Sequence, residues 1–218
     1  MNLVVIPVKN LKDSKSRLSA FISDEDRARL TLAMLLDELK VLEKTSVEKV
    51  ALVSSDRRIK VLAHRYGLEF IDDKGLPLND SLKLASLWAL ERGINTMIVI
   101  PVDIPSINPD DIEAVLDIIG LEHGSIAVIA PCRRFDGTNL LALKPFKKFD
   151  FRFGRNSYRQ HMGEAALLGF EVYVYMSENI SLDIDTIEDL LHLYRVIDRN
   201  SMTFSILENI LKNSTFHS

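Results

Sequence analysis

Residues 1–18 read MNLVVIPVKNLKDSKSRL, and the succession in this stretch decides the fold class. Leu3 to Val8 is a short run rich in β-branched residues, closed by a polar turn cluster and followed by a longer segment of helical period. The same succession recurs along the chain. Lys49 to Ser54, Leu68 to Ile71, Thr96 to Pro101 and Ser125 to Pro131 are further runs of this kind, with later ones at Asn139 to Leu143 and Glu171 to Tyr175. Between them Leu32, Leu35, Leu36, Leu39 and Leu42 fall on one helical stripe, and Leu78, Leu82, Ala85 and Ala89 on another. Short strands alternating with amphipathic helices are the signature of an α/β protein, and the leucines are its core. Helix starts are marked by Ser23, by Asn79 or Asp80, by Asn108 before Pro109, and by Thr186 with Asp189 completing a capping box.

Composition narrows the possibilities. The chain has 218 residues, 47% hydrophobic and 27% charged, with no internal repeat, low-complexity tract or linker, which predicts one domain over residues 1–218. Residues 199–218 are expected to form a C-terminal tail helix. Its Phe204, Leu207 and Leu211 share a side that packs on its own domain, with a homodimer contact as the alternative. The single cysteine, Cys132, excludes an intrachain disulfide and reads as a small buried apolar residue. A net charge of −4 without an arginine-rich tract argues against binding polymeric nucleic acid, whereas a small anion needs only a local positive patch. The apolar stretches fall far short of the roughly 20 residues of a membrane helix, and the N-terminus puts its apolar run before its basic residues, the reverse of a secretory signal. A cytoplasmic protein is expected.

In open α/β sheets ligands bind beyond the carboxyl ends of the strands, which directs attention to three loops. The first, PVKNLKDSKSRLS, holds Lys9, Lys12, Lys15 and Arg17 against Asp13. Neither a dinucleotide fingerprint nor a P-loop is present, so lysine and arginine side chains would have to receive a triphosphate; the alternative is a solvated charged loop. The second, IPVDIPS, sets Asp103 at a strand end between Pro101 and Pro105, suited either to a divalent cation or to a turn. In the third, SLDIDTIEDL, alternation directs Asp183 and Asp185 to one side and Leu182 and Ile184 to the other. Two adjacent carboxylates repel, and Mg²⁺ with oxygen ligands and waters resolves that repulsion. Glu188 and Asp189 belong to the first helical turn, where negative charge is favoured. Residues 132–160 form an irregular segment in which Gly137, Thr138 and Asn139, and then Phe151, Phe153, Gly154 and Ser157, offer backbone and hydroxyl donors to a second phosphorylated ligand. His161 shares a helix face with Ser157 if a helix starts there, and reads as structural.

The motifs PVKNLKDSKSRL, VSSD, PLNDSL, PVDIP, DGTNLLAL, FRFGRNSYRQH and LDIDTIEDL, in this order and spanning nearly the whole chain, resemble the 2-phospho-L-lactate guanylyltransferases. The resemblance implies a single-domain Rossmann-like mixed sheet of the nucleotide-diphospho-sugar transferase type. It also implies coupling of GTP to 2-phospho-L-lactate, with release of pyrophosphate and formation of lactyl-2-diphospho-5′-guanosine, in coenzyme F-420 biosynthesis. By the same resemblance Asp103, Asp183 and Asp185 are the Mg²⁺ carboxylates, and Thr138, Gly154 and Ser157 contact the phospho-acid. Lys9, Lys15 and Arg17 would face the triphosphate as nucleotide-binding and catalytic groups, and Asn79 the base or ribose. Phosphoenolpyruvate and 3-phosphoglycerate are alternative acceptors. A sugar nucleotidyltransferase or glycosyltransferase of the same fold, and a non-catalytic sensor of a nucleotide or phospho-acid, are the rival readings.

Overall fold

The computed structural model describes residues 1–12, 15–121, 124–146 and 149–213. Along the chain β1 (Asn2–Pro7) leads to α1 (Asp24–Leu42), β2 (Lys49–Val53), α2 (Arg57–Arg65), β3 (Glu69–Ile71), α3 (Leu78–Leu90) and β4 (Thr96–Val99). There follow α4 (Pro109–Leu121), β5 (Ile126–Pro131), β6 (Thr138–Lys144), α5 (Ser157–Leu167), β7 (Glu171–Val174), α6 (Glu178–Ser181), α7 (Ile187–Val196) and α8 (Met202–Asn213). The strands make one mixed sheet in the order β3-β2-β1-β4-β6-β5-β7. Pairing is parallel from β3 to β4 and between β5 and β7, while β6 runs antiparallel to both of its neighbours. The α/β expectation holds, and every strand run foreseen in the sequence is present, with small shifts at its ends.

The central strands are continuous apolar runs because both of their faces are covered. Val4 and Ile6 of β1 join a core beneath α1, α2 and α4, while Leu3 and Val5 point into a second core beneath α3 and α5. A third, smaller core gathers Leu18, Met34, Leu182, Ile184, Leu193 and Leu207. This third core matters for function, since it ties the end of the first loop to the segment carrying Asp183 and Asp185.

Most helix starts follow the sequence reading. Ser23 caps α1 through the Asp26 N–H, Asn108 and Asp111 bond each other's backbone at the start of α4, and Thr186 with Asp189 forms the capping box of α7. The start of α3 is a correction. Pro77 is its N-cap, and Asn79 and Asp80 lie inside the first turn. A proline with φ −57° enters a helix without strain, and its carbonyl accepts the Ser81 N–H, so no polar cap is needed. Residues 132–160 hold the foreseen strand as β6 and, from Ser157, the beginning of α5, with irregular stretches around them among the described residues. Cys132 is buried as expected, yet its role is polar: Sγ donates to Asp136 (3.0 Å) and accepts the Gly137 N–H (3.1 Å), bracing the turn before β6.

The tail helix α8 packs against α1 within the chain, with Leu207 and Ile210 in the third core and Phe204 stacked on Tyr194 at 5.2 Å. Residues 214–218 of the expected tail lie outside the described residues, as does Asp13 of the first loop. Among the described residues no helix is long and apolar enough to cross a membrane. The start of α8 is held by a carboxylate distant in sequence: Asp37 of α1 accepts the N–H groups of Met202 (3.0 Å) and Thr203 (2.7 Å), which the helix itself cannot satisfy. Asp37→Ala is therefore expected to lower stability by about 1–3 kcal/mol, because two donors lose a charged acceptor. Urea unfolding of wild type and variant measures it; equal midpoints would refute the docking role.

Candidate active site

β1 and β4 are neighbours from which the chain departs in opposite directions, first through α1 to β2 and later through α4 to β5, so their carboxyl ends open a crevice at the switch of strand order. The loop after β1 and the Pro101–Pro105 turn after β4 meet there. Lys9, Lys15, Arg17, Asp103 and Asp185 all line one cleft of about 360 Å³. Lys15 is the pivot. Its ammonium, with 7% of the side chain exposed, donates to Asp103 Oδ2 (3.1 Å) and to the Ile184 carbonyl (2.6 Å). Its backbone is left-handed (φ 50°), an uncommon state for a residue with a side chain, just before the single helical turn Ser16–Leu18. Arg17 pairs with Asp185 at 2.5 Å. The loop is anchored further back by Asp56 of the VSSD motif, which accepts the Leu11 N–H (3.1 Å). Hydrogen bonds from Arg58 hold the Asp56 carboxyl down at about 2.

The segment after α6 behaves as the alternation predicts. Leu182 and Ile184 enter the third core, and the Ile184 N–H bonds the Asp103 carbonyl (3.2 Å), so the three aspartates are brought together by backbone pairing. Asp183 is the most buried in effect: burial first, then the charge of Asp103, raises its carboxyl to about 6. Among the described residues its one side-chain hydrogen-bond partner is Asn139 Nδ2 at 3.5 Å, a weak contact because the same amide donates to the Ile180 carbonyl at 2.8 Å. A partly desolvated carboxylate with little compensation, beside two more carboxylates, suits a divalent cation. Among the described residues no three acidic, His or Cys side chains come together as a set that could hold a metal ion by themselves. Any ion here would need most of its ligands from waters and phosphate oxygens, a habit that Mg²⁺ has.

A second cluster lies one residue along β6. Thr138 N–H donates to Ser157 Oγ (2.8 Å), and His161 Nδ1 lies 2.9 Å from Thr138 Oγ1. α5 does start at Ser157, so Ser157 and His161 share a face as the spacing suggested. Gly154, at φ +126°, takes a backbone shape that side chains rarely adopt, and turns the loop into that helix. Asn79 is not in the basic cleft: its amide brackets the Phe153 backbone, accepting its N–H (2.8 Å) and donating to its carbonyl (3.1 Å). The adjacent Leu78 does line the cleft, so the start of α3 borders both clusters. Asn139, singled out in the sequence only as part of the Gly137, Thr138, Asn139 donor set, links the clusters through its side-chain amide. Its signal was an amide opening an otherwise apolar strand, TNLLAL. Glu38 of α1 was missed. It is wholly buried, and burial followed by Asp103 raises its carboxyl well above the ordinary range.

A larger cavity, about 700 Å³, lies elsewhere between α1, α6 and the start of α8 and shares none of these residues. Its size outweighs its chemistry: Asp37 there is committed to α8, and its charges are of mixed sign. The smaller cleft, where cations and carboxylates converge, is the stronger candidate site.

An α/β sheet whose switch crevice sets cations against carboxylates has the layout of a nucleotidyltransferase. Comparison with known proteins agrees. In solved structures the fold matches a protein described as a nucleotide-diphospho-sugar transferase from Desulfovibrio desulfuricans, with TM-score 0.77, 20% identity and 97% of each chain covered. A phosphoenolpyruvate guanylyltransferase of Rubrobacter xylanophilus is 36% identical over 189 residues, 87% of this chain and 91% of that protein. A 2-phospho-L-lactate guanylyltransferase of Methanocaldococcus jannaschii is 37% identical over 188 residues, 86% of this chain and 80% of that protein. Residues 2–205 match the family described as guanylyl transferase CofC like, and the chain belongs to it.

The raised Asp183 carboxyl has a consequence for stability. Between 3.8 and about 6 the unfolded chain releases this proton before the folded one does, so folding stability falls as pH rises through that window and the penalty stays constant above it. Asp183→Asn is expected to stabilise the metal-free protein by about 1–3 kcal/mol at neutral pH, with the gain vanishing below the carboxylate's ordinary range. His161 works in the opposite direction: burial lowers it to about 4, so its contribution is lost as pH falls from 6.5. That effect is common to both proteins and cancels in the difference. Thermal melts of the pair across a pH series check the prediction; a pH-independent difference would contradict it.

Proposed function

We propose that the protein transfers GMP from GTP to the phosphate of 2-phospho-L-lactate. The new bond is a diphosphate bond between the acceptor phosphate and the α-phosphorus. The bond from the α-phosphorus to the bridging oxygen breaks, and pyrophosphate leaves with that electron pair. The observation that carries this reading is the junction of two unlike clusters: the cleft of Lys9, Lys15, Arg17, Asp103 and Asp185, with Asp183 next to it in the chain, and the hydroxyls of Thr138 and Ser157. Asn139 joins them. One cluster suits a triphosphate and the other a small acid.

The nucleophile is a phosphate oxygen, already anionic near neutral pH, so the chemistry requires positioning and charge stabilisation more than proton abstraction. Asp103, Asp183 and Asp185 would hold Mg²⁺, which when bound supplies positive charge at the α-phosphate. Lys15 and Arg17 pair with Asp103 and Asp185. A triphosphate entering the cleft competes for both cations and releases those carboxylates for their ion, so substrate and ion support each other's binding. Lys9, exposed at the rim, and the two inner cations then offset charge growing on pyrophosphate. Because GTP and Mg²⁺ abound in the cytoplasm, that is the compartment we assign. A second acceptor, phosphoenolpyruvate, is favoured by the Rubrobacter relative's name at 36% identity.

Purified protein incubated with GTP, Mg²⁺ and each acid separately is expected to release pyrophosphate with 2-phospho-L-lactate. Release with phosphoenolpyruvate alone would move the acceptor to the second reading. Turnover of a nucleotide sugar, with no pyrophosphate from GTP, would overturn both. Lys15→Met is expected to lower kcat/KM about a hundredfold, the scale of losing one preorganised charge-stabilising donor.

A further inference from the structure

His161 is fully buried, yet none of the chemistry above uses it. Its ring lies among aromatic neighbours, 4.7 Å edge-to-face from Phe153 and 5.9 Å from Phe149, and burial drives it to about 4, so the imidazole is neutral near pH 7. A neutral imidazole carries one N–H, and the partners decide where it sits. The Arg152 N–H points at Nε2 from 2.9 Å, so Nε2 must be the bare, accepting nitrogen. The proton therefore resides on Nδ1, which donates to Thr138 Oγ1 at 2.9 Å. A hydroxyl whose oxygen accepts from behind has its own proton free to point forward.

Ser157 is set in the same manner. Its Oγ accepts the Thr138 backbone N–H at 2.8 Å, leaving its hydroxyl proton without an acceptor among the described residues. Two buried hydroxyls side by side are thus both polarised as donors. Asn156, in the left-handed region, provides no side-chain cap to the first turn of α5, so helix N–H groups stand beside them. An anion with several oxygens is the ligand such an array fits.

We propose that His161 is a positioning residue that, through Nδ1–H, fixes the Thr138 hydroxyl as a donor to the acceptor phospho-acid. The inference rests on reading Thr138 and Ser157 as acceptor contacts. His161 touches no substrate. It acts by denying the Thr138 hydroxyl the option of donating backward into the protein, so the donor is aimed before the acid arrives.

The first test needs no variant. Long-range ¹⁵N–¹H correlation spectra of the histidine rings in the whole protein should show His161 neutral with its proton on Nδ1; a proton on Nε2 would overturn the proposal. The second test is kinetic, using whichever acid the wild type guanylylates. His161→Phe is expected to raise KM for the acid about tenfold while leaving KM for GTP within about twofold, since only one hydrogen-bonding direction is lost. His161→Asn, whose amide N–H replaces Nδ1–H, should recover most of the loss. In a Thr138→Val background His161→Phe should cost nothing more, because the hydroxyl it aims is gone. Equal effects on both KM values, or additivity with Thr138→Val, would show a merely structural role and sink the idea. Should His161→Phe fail to fold, the tautomer and the Asn variant decide. If the wild type couples GTP to neither acid, the functional reading fails on its own. Calorimetric titration of 2-phospho-L-lactate into wild type and His161→Asn, Thr138→Val and the double variant then judges His161 by the same non-additivity.

Discussion

One buried ammonium holds the site together. Lys15 reaches Asp103, 88 positions away, and the Ile184 carbonyl, 169 positions away, and so binds three segments that the sheet alone only brings near each other. A charge buried to this extent is costly unless it is fully paired, and the pairing exists only when the loop after β1, the turn after β4 and the strand-like segment before α7 are all in place. Each neighbouring contact serves that arrangement. Leu18 and Ile184 share the third core, the Ile184 N–H bonds the Asp103 carbonyl, and the left-handed backbone at Lys15 turns its side chain into the cleft. Strain and buried charge are tolerated here because the surrounding packing over-determines them.

The arrangement also accounts for a phosphate site without a glycine-rich loop. In P-loops and dinucleotide folds, backbone N–H groups at a helix N-terminus receive the phosphates. The loop after β1 enters only the short turn Ser16–Leu18 before α1, so no long helix follows the first loop directly, as it does in a P-loop. Side-chain charge replaces it: three cations stand against three carboxylates, and the exchange of protein partners for phosphate and metal replaces the rigid cradle. Glycine is still required at one place of consequence, Gly154, where the acceptor loop takes a φ of +126° that other residues rarely adopt.

How far the chain could be read before its structure follows from which interactions are local. The strands and helices were legible because their periodicity and caps are contained in short windows; Ser23, Asn108 and Thr186 each bond within three residues. Asp183 and Asp185 were legible for the same reason, since alternation is a two-residue rule. Lys15 was legible as a charge but not as a clamp, because both of its partners are remote in sequence. Asn79 shows the converse. Its position suggested a cap or a nucleotide contact, whereas its amide is matched to the Phe153 backbone 74 positions on, and nothing in PLNDSL announces that pairing. Cys132 read as apolar because a lone thiol usually is; the Gly137 N–H and Asp136 carboxylate that engage it depend on a tight turn that composition does not reveal.

The two clusters differ in how their energy is stored, and the difference matches their tasks. In the triphosphate cleft the groups are charged, partly wet and paired with one another, so a ligand can trade places with a protein partner at modest net cost. Around Thr138 and Ser157 the groups are neutral, buried and hydrogen-bonded in one direction, so they can only donate. The first cluster is built to be reorganised by a large flexible polyanion, the second to meet a small acid with its donors already oriented. Asn139 sits between them, with its neighbour Thr138 in one cluster and its amide against Asp183 in the other. A shift of β6 by even a fraction of a hydrogen-bond length would disturb both clusters at once. β6 is buried along almost its whole length and paired on both sides, with β4 and β5, and a close-packed strand of that kind is a suitable common reference for two substrates.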